Sequence, residues 1–436
     1  MQYYNVHTHT FCTDNVPRDF LKLYLPSFIA TPVDNITDTK VGSFVVRKIM
    51  GALGGNGGRR YADFLEVGKS KTQKAVFEQL RDSVTDDANM RHIVLTLNME
   101  HIGAGPSRTL FEGQIEEILN LKKEYDDKLF IFLGIDPRWK ASGTEIRKFV
   151  ESYFETKLYV NELKQVYPFC GLKLYPSTGF YVFDEKLKET FQWAADNGVP
   201  VMSHCSYLGG VYNNDERALR TSLNPPNVYD GGNIYSQANY IEKKKFFRRI
   251  LNTNTSRNNL MTCSFFLEPA TYEWLFKYFE RQFNEFEKKN DPLKICMAHF
   301  GGGNQVEVAT LGTDGGKKPD QEELVPYGVA GQNWYKEIQR LLTGYKGSYT
   351  DISYAVSNTD LFPAFLKDVD SPVYGDRVMF GTDFFMTERV RKHNEVYDAF
   401  KAYAVNRNLA NYPGTKLWDK VAGINVDRFL KSKYFS

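Results

Sequence analysis

The chain is poor in the features that announce several classes of protein. Of its 436 residues only five are cysteines (Cys12, Cys170, Cys205, Cys263 and Cys296), an odd number with no Cys-x-x-Cys pair. A disulfide framework is therefore not expected, and a reducing compartment fits. Charge of one sign is also lacking, since 55 Lys and Arg stand against 53 Asp and Glu, a net of +2. A nucleic-acid or anionic-membrane partner calls for a basic footprint that this balance does not provide. No apolar run approaches the roughly 18 residues of a transmembrane helix. The opening MQYYNVHTHT has no basic start followed by an apolar stretch, so it does not read as a secretory leader. Repeats and low-complexity tracts are missing. The Gly-rich GALGGNGGRR at 51–60 lacks the Lys-Ser/Thr ending of a phosphate-binding loop. What remains is an ordinary globular composition, for which a cytoplasmic enzyme is the default. Its 15% aromatic content is better explained by packing than by a ligand.

Short apolar runs alternate with helical stretches. Strands are expected near 3–7, 92–98, 129–135, 170–175, 199–204, 293–299, 348–353 and 378–383. Runs of this kind suit strands buried on both faces of a parallel sheet. Helices are expected at 112–125, 142–165, 184–197 and 270–289. In the third of these Asp184 supplies a cap and Gly198 a helix C-terminal glycine. Eight strands in this alternation favour an α/β fold of the (β/α)₈ TIM-barrel type over an open sheet. Long connections at 12–90, 205–267 and 300–347 read as insertions that shape a substrate site.

Histidine is scarce, with seven in all, yet two of them stand one residue apart in VHTHTF. Alternation along a strand points His7 and His9 the same way, which makes half a metal site. His204 ends VPVMSH, His299 ends ICMAH and Asp383 ends VMFGTD. The C-terminal ends of barrel strands converge on one mouth, so these residues are expected to meet. Imidazoles with a carboxylate suit zinc first, with manganese or iron as alternatives. The bland readings are a core histidine satisfied by backbone for His299 and a helix cap for Asp383. Asp314 in LGTDGG copies the local motif of Asp383 but closes no strand.

The ordered set HTH, GLKLYP, SHC, AHFGG and FGTD, with the tail LWDKVAGINVDRFL, resembles the amidohydrolase superfamily. More narrowly it is similar to the amidohydrolase-related group that includes aminocarboxymuconate semialdehyde decarboxylase. The resemblance implies one barrel domain over 1–436. It implies one divalent metal on His7, His9, His204 and Asp383, with His299 and Asp383 as catalytic residues. It also implies hydrolysis of a small ester, lactone or amide by metal-activated water. The alternative is nonoxidative decarboxylation of a small unsaturated or aromatic carboxylic acid. A catalytically silent, ligand-binding barrel is the reading from another class.

Lys173, in GLKLYP, is expected to face the barrel interior with Tyr175. In some superfamily members a lysine here is carboxylated and bridges a second metal. The other readings are contact with a substrate anion and a structural role. Arg59 and Arg60 could reach an anionic substrate, Arg138 follows the third strand near the mouth, and Tyr175 and Tyr207 would line the pocket. His92 belongs at the far end of the barrel, His101 at the rim, and His393 on an exposed face of the last helix. Cys205 points away from His204 and is not expected to act as a nucleophile. The expected partner is a small-molecule substrate, with no nucleic acid and no membrane. Homo-oligomerisation is left open.

Overall fold

A computed structural model describes residues 1–12, 14–18, 72–84, 88–207, 266–285, 293–313, 316 and 333–435. Arg59, Arg60, Cys263 and Asp314, and most of the expected insertions at 12–90 and 205–267, lie outside the described residues. Eight strands form one parallel sheet: β1 Tyr3–Thr8, β2 Met90–Leu95, β3 Leu129–Ile135, β4 Phe169–Leu174, β5 Val201–Ser203, β6 Ile295–Met297, β7 Ser348–Asp351 and β8 Val378–Met379. They pair in sequence order. Helices alternate with them: α1 Gln73–Asp82, α2 Phe111–Glu124, α3 Gly143–Glu155, α4 Lys188–Asn197, α5 Tyr272–Glu285, α6 Gly303–Leu311, α7 Trp334–Gly344, α8 Phe362–Val369 and α9 His393–Val405. Among the described residues no helix is long and apolar enough to cross a membrane.

The sheet closes on itself. Between its first and last strands run Val6 N–H to Phe380 O (3.0 Å), Asp383 N–H to His7 O (2.8 Å) and His9 N–H to Phe384 O (2.6 Å). A parallel bridge joins Thr8 to Phe384. The expected (β/α)₈ barrel is the fold, and its closing seam runs between the segments that carry His7, His9 and Asp383.

Strand side chains alternate between two cores. Ile93, Leu95, Phe132, Cys170, Met202, Cys296, Tyr349 and Met379 fill the barrel, whose interior is completed by Val426, Phe429 and Leu430 of the C-terminal segment. Val94, Leu133, Leu172, Leu174, Val201 and Ile295 pack outward among the helices. That alternation is the period of two of a pleated strand. In β1 the parity breaks, because Asn5 pairs with His92 but Thr8 with Val94, so one extra residue is inserted. Tyr4 and Val6 face inward below this bulge. His7 and His9 are turned toward the barrel mouth above it.

One helix end and three strand ends differ from the sequence expectation. The helix expected over 142–165 begins with a capping box of Ser142 and Glu145 but ends at Glu155. Residues 158–166 form a small hairpin instead, in which the Asn161 side chain accepts from Leu163 N and Lys164 N, both at 2.9 Å. Such an Asx turn competes with helix for the same backbone donors. The strands that carry the site are also shorter than expected. β5, β6 and β8 stop before His204, His299 and Asp383, which stand in the following turns.

Candidate metal centre

At the C-terminal mouth, His7 Nε2 lies 3.7 Å and His9 Nε2 3.5 Å from Asp383 Oδ1. The other ring nitrogens are already held. His9 Nδ1 lies 3.0 Å from Leu95 O, and a carbonyl can only accept, so the proton of a neutral His9 sits on Nδ1. His7 Nδ1 lies 3.1 Å from Asp351 Oδ2, which imposes the same tautomer. Each Nε2 therefore carries a lone pair, and both face the oxygen of Asp383. Burial drives His7 well below its ordinary pKa, and burial with the nearby Lys173 charge takes His9 to about 3. Both rings are thus neutral, as metal ligands must be.

This donor set fits a metal ion. Atoms about 2.1 Å from a tetrahedral centre stand roughly 3.4 Å apart, close to the spacing of the Nε2 and carboxylate atoms. Three lone-pair donors converging in a buried site also repel one another unless a cation joins them. Asp383 adopts φ of +60° and His299 φ of +66°, a left-handed conformation that costs a non-glycine residue energy and is concentrated at functional sites.

His204 and His299 stand beside this group as a linked pair, with His299 Nε2 and His204 Nδ1 2.9 Å apart. Ser353 fixes the direction of that bond. Its hydroxyl donates to Asp351 Oδ1 in a short contact and therefore accepts from His299 Nδ1–H at 2.9 Å. His299 Nε2 is then the acceptor from His204 Nδ1–H, and His204 Nε2 keeps the lone pair. Burial lowers His299 to about 4 despite Asp351 nearby. The closely spaced ligand-type groups among the described residues are His7–His9–Asp383 and His7–His299–Asp351. In the second group the His7–Asp351 contact is already a hydrogen bond, so the first has the better spacing for an ion. His204 belongs to neither.

Asp351, which the sequence reading passed over, ties the site together. Its buried carboxylate meets His7 Nδ1, the His299 backbone N–H (3.0 Å), and both the N–H and hydroxyl of Ser353. The available signal was a carboxylate closing β7, the same strand-end position that marks the other candidates.

The remaining candidates divide. Lys173 is wholly buried, with Nζ 3.5 Å from His7 Nε2, and burial lowers its pKa to about 8 against the pull of Asp351 and Asp383. Tyr175 packs edge-on against His204, ring centroids 4.7 Å apart, and Tyr207 packs against Trp334 at 5.4 Å. Arg138 is committed elsewhere. Its guanidinium bonds the Asp136 carboxylate, the carbonyls of His101 and Thr178, and the Thr178 hydroxyl. Those contacts use its five N–H donors to brace three loops, leaving none for a substrate. His393 is a correction: it is buried, not exposed, because the first turn of α9 tucks under the barrel rim.

A family model described as amidohydrolase matches residues 82–419. The chain belongs to the amidohydrolase family. This amidohydrolase is therefore a metal-dependent enzyme by family, and the match begins beyond β1, so His7 and His9 lie outside it. No curated protein matches the sequence. The chain is similar to solved structures at low identity. One is a zinc-bound amidohydrolase from Burkholderia multivorans (11% identity, 81% of this chain and 88% of that one, TM-score 0.41). Others are 4-oxalomesaconate hydratase from Rhodopseudomonas palustris (12%, 98% and 95%, 0.45) and 5-carboxyvanillate decarboxylase from Sphingomonas paucimobilis (12%, 99% and 100%, 0.45).

Proposed function

We propose that this amidohydrolase hydrolyses a small ester, lactone or amide at a mononuclear centre held by His7, His9, His204 and Asp383, with zinc as the ion. The convergence of the His7 and His9 Nε2 lone pairs on Asp383 Oδ1 carries the reading. A divalent ion there supplies Lewis acidity and lowers the pKa of water toward neutrality. The chain's residues do the rest. Asp383 has a second carboxylate oxygen to accept the proton of the attacking water. His299 is the second proton-handling group, and to take a proton its Nε2 first releases the His204 Nδ1–H that it accepts in this structure. The positive charge it gains on protonation is balanced by Asp351, reached through Ser353. The proton then passes to the departing oxygen or nitrogen.

Decarboxylation is the second reading, and one observation favours it: Lys173 is a buried cation at the site. It is outweighed because Arg138, the other described candidate for holding a carboxylate, has its donors spent. The deciding experiment measures metal per chain in wild type and His7→Ala, with turnover of an ester, lactone and amide panel for His299→Asn. About one equivalent in wild type, its loss in His7→Ala, and a silent but loaded His299→Asn are expected. About two equivalents would replace the mononuclear centre by a Lys173-bridged pair. No metal after reconstitution with zinc or manganese would overturn the proposal.

A further inference from the structure

The His7 and Asp383 ends of the seam need something to hold them in place, and the structure shows a continuous brace behind them. At its start, Gln73 is the first residue of α1. Its amide donates to Gln114 O (2.8 Å) and Glu117 Oε2 (3.1 Å), groups that only accept, so its Oε1 must face the hydroxyl of Thr10 at 3.0 Å. Thr10 directly follows His9. At the other end of the same helix, Ser83 Oγ–H donates to Leu80 O (2.6 Å) and hence accepts from His393 Nδ1–H (2.7 Å). His393 Nε2 then bears a lone pair that accepts from the Thr382 hydroxyl at 2.9 Å. Thr382 in turn is clasped by Asn5, whose Nδ2 donates to Thr382 Oγ1 (2.7 Å) and whose Oδ1 accepts from Thr382 N–H (2.9 Å). Thr382 directly precedes Asp383, and Asn5 stands two residues before His7.

Every proton in this chain has an assigned direction, and none of its members lies in the metal group. A residue that only filled space here would be apolar, since burying an imidazole, two threonine hydroxyls and two amides costs free energy unless each is bonded. Their bonds fix directions, and those directions end on the neighbours of three ligands. We propose that α1 and His393 form a positioning brace for the metal centre, in which Gln73 and Ser83, at opposite ends of one helix, set the spacing of the His9 and Asp383 sides of the seam. This rests on the metal reading above.

The test uses the full chain stripped of metal and titrated with zinc against a chromophoric chelator. A cobalt(II) visible spectrum and the thermal midpoint of the metal-free form are recorded in parallel. Ser83→Ala is expected to weaken zinc by about tenfold and to change the cobalt bands, because outer partners orient ligands. Ser83→Thr, which keeps the hydroxyl, should restore both. His393→Leu should weaken zinc further. If His393→Leu does not fold, Ser83→Ala decides alone. Variants that bind zinc as wild type does, whatever their thermal midpoint, overturn the brace. Wild type that binds no zinc overturns the metal reading instead.

Discussion

Asp351 decides which nitrogen of His7 carries the proton, and a single-atom change should expose that. In Asp351→Asn the residue keeps its shape, but an amide N–H₂ turned toward His7 Nδ1 can only donate. The ring proton would then move to Nε2, the atom facing Asp383. The expected result is a folded protein with zinc affinity lowered about 10- to 100-fold, read by chelator competition. Binding at wild-type strength would sink the tautomer argument. At this scale the sequence was a good guide to which residues gather at the mouth and a poor one to their partners. His7, His9 and Asp383 were legible because residue type and strand-end position are both written in the chain. Asp351 and the bonds of Arg138 were not, since which buried group meets which depends on register between strands far apart in sequence. His393 was misread for a similar reason: helical periodicity says which residues share a face, but not how deep the first turn sits.

The elements were legible in order and type, and less so in detail. All eight barrel strands lie where alternation placed them, because double-sided burial leaves an apolar signature. The bulge in β1 left no mark in the sequence, since neither glycine nor proline accompanies it, yet it turns His7 and His9 toward the mouth. Close approach at the seam gives an element-scale prediction. A Cβ on Gly381 would lie 2.8 Å from His7 Cβ and 3.1 Å from Ser353 Cβ. A Cβ on Gly171 would meet the Phe132 ring at 2.4 Å, inside the barrel and away from the site. Both alanine variants should lose about 1–3 kcal/mol of stability through overpacking. Only Gly381→Ala should also weaken metal binding, because only there must a ligand strand move. Urea unfolding beside zinc titration separates the two, and equal loss of zinc affinity in both would refute the distinction.

For the molecule as a whole, four of the six buried histidines make stability depend on acid. His7, His9, His299 and His393 are all held below the ordinary imidazole pKa, with burial the leading cause in each, and His393 is at about 3. In the unfolded chain each takes a proton near pH 6.5, while in the folded protein each stays neutral well below that. The unfolded state therefore binds more protons in that window. Stability is full above about pH 7 and falls as pH drops from about 6.5 toward 4, by up to about 1.4 kcal/mol per pH unit for each histidine. The urea midpoint of the metal-free protein should decline steeply between pH 7 and 5. A midpoint that stays level would mean that these rings are not buried and neutral as described.

The seam joins the first strand of the barrel to the last. A ribosome making this chain releases His7 and His9 well before Asp383. Until Asp383 emerges the nascent chain holds two imidazoles without the carboxylate on which they converge. Capture of an ion at the proposed centre therefore cannot run ahead of the closing of the seam. An ion bound at the proposed centre would tie down the two ends of the sheet, a clasp on the barrel as well as a reagent.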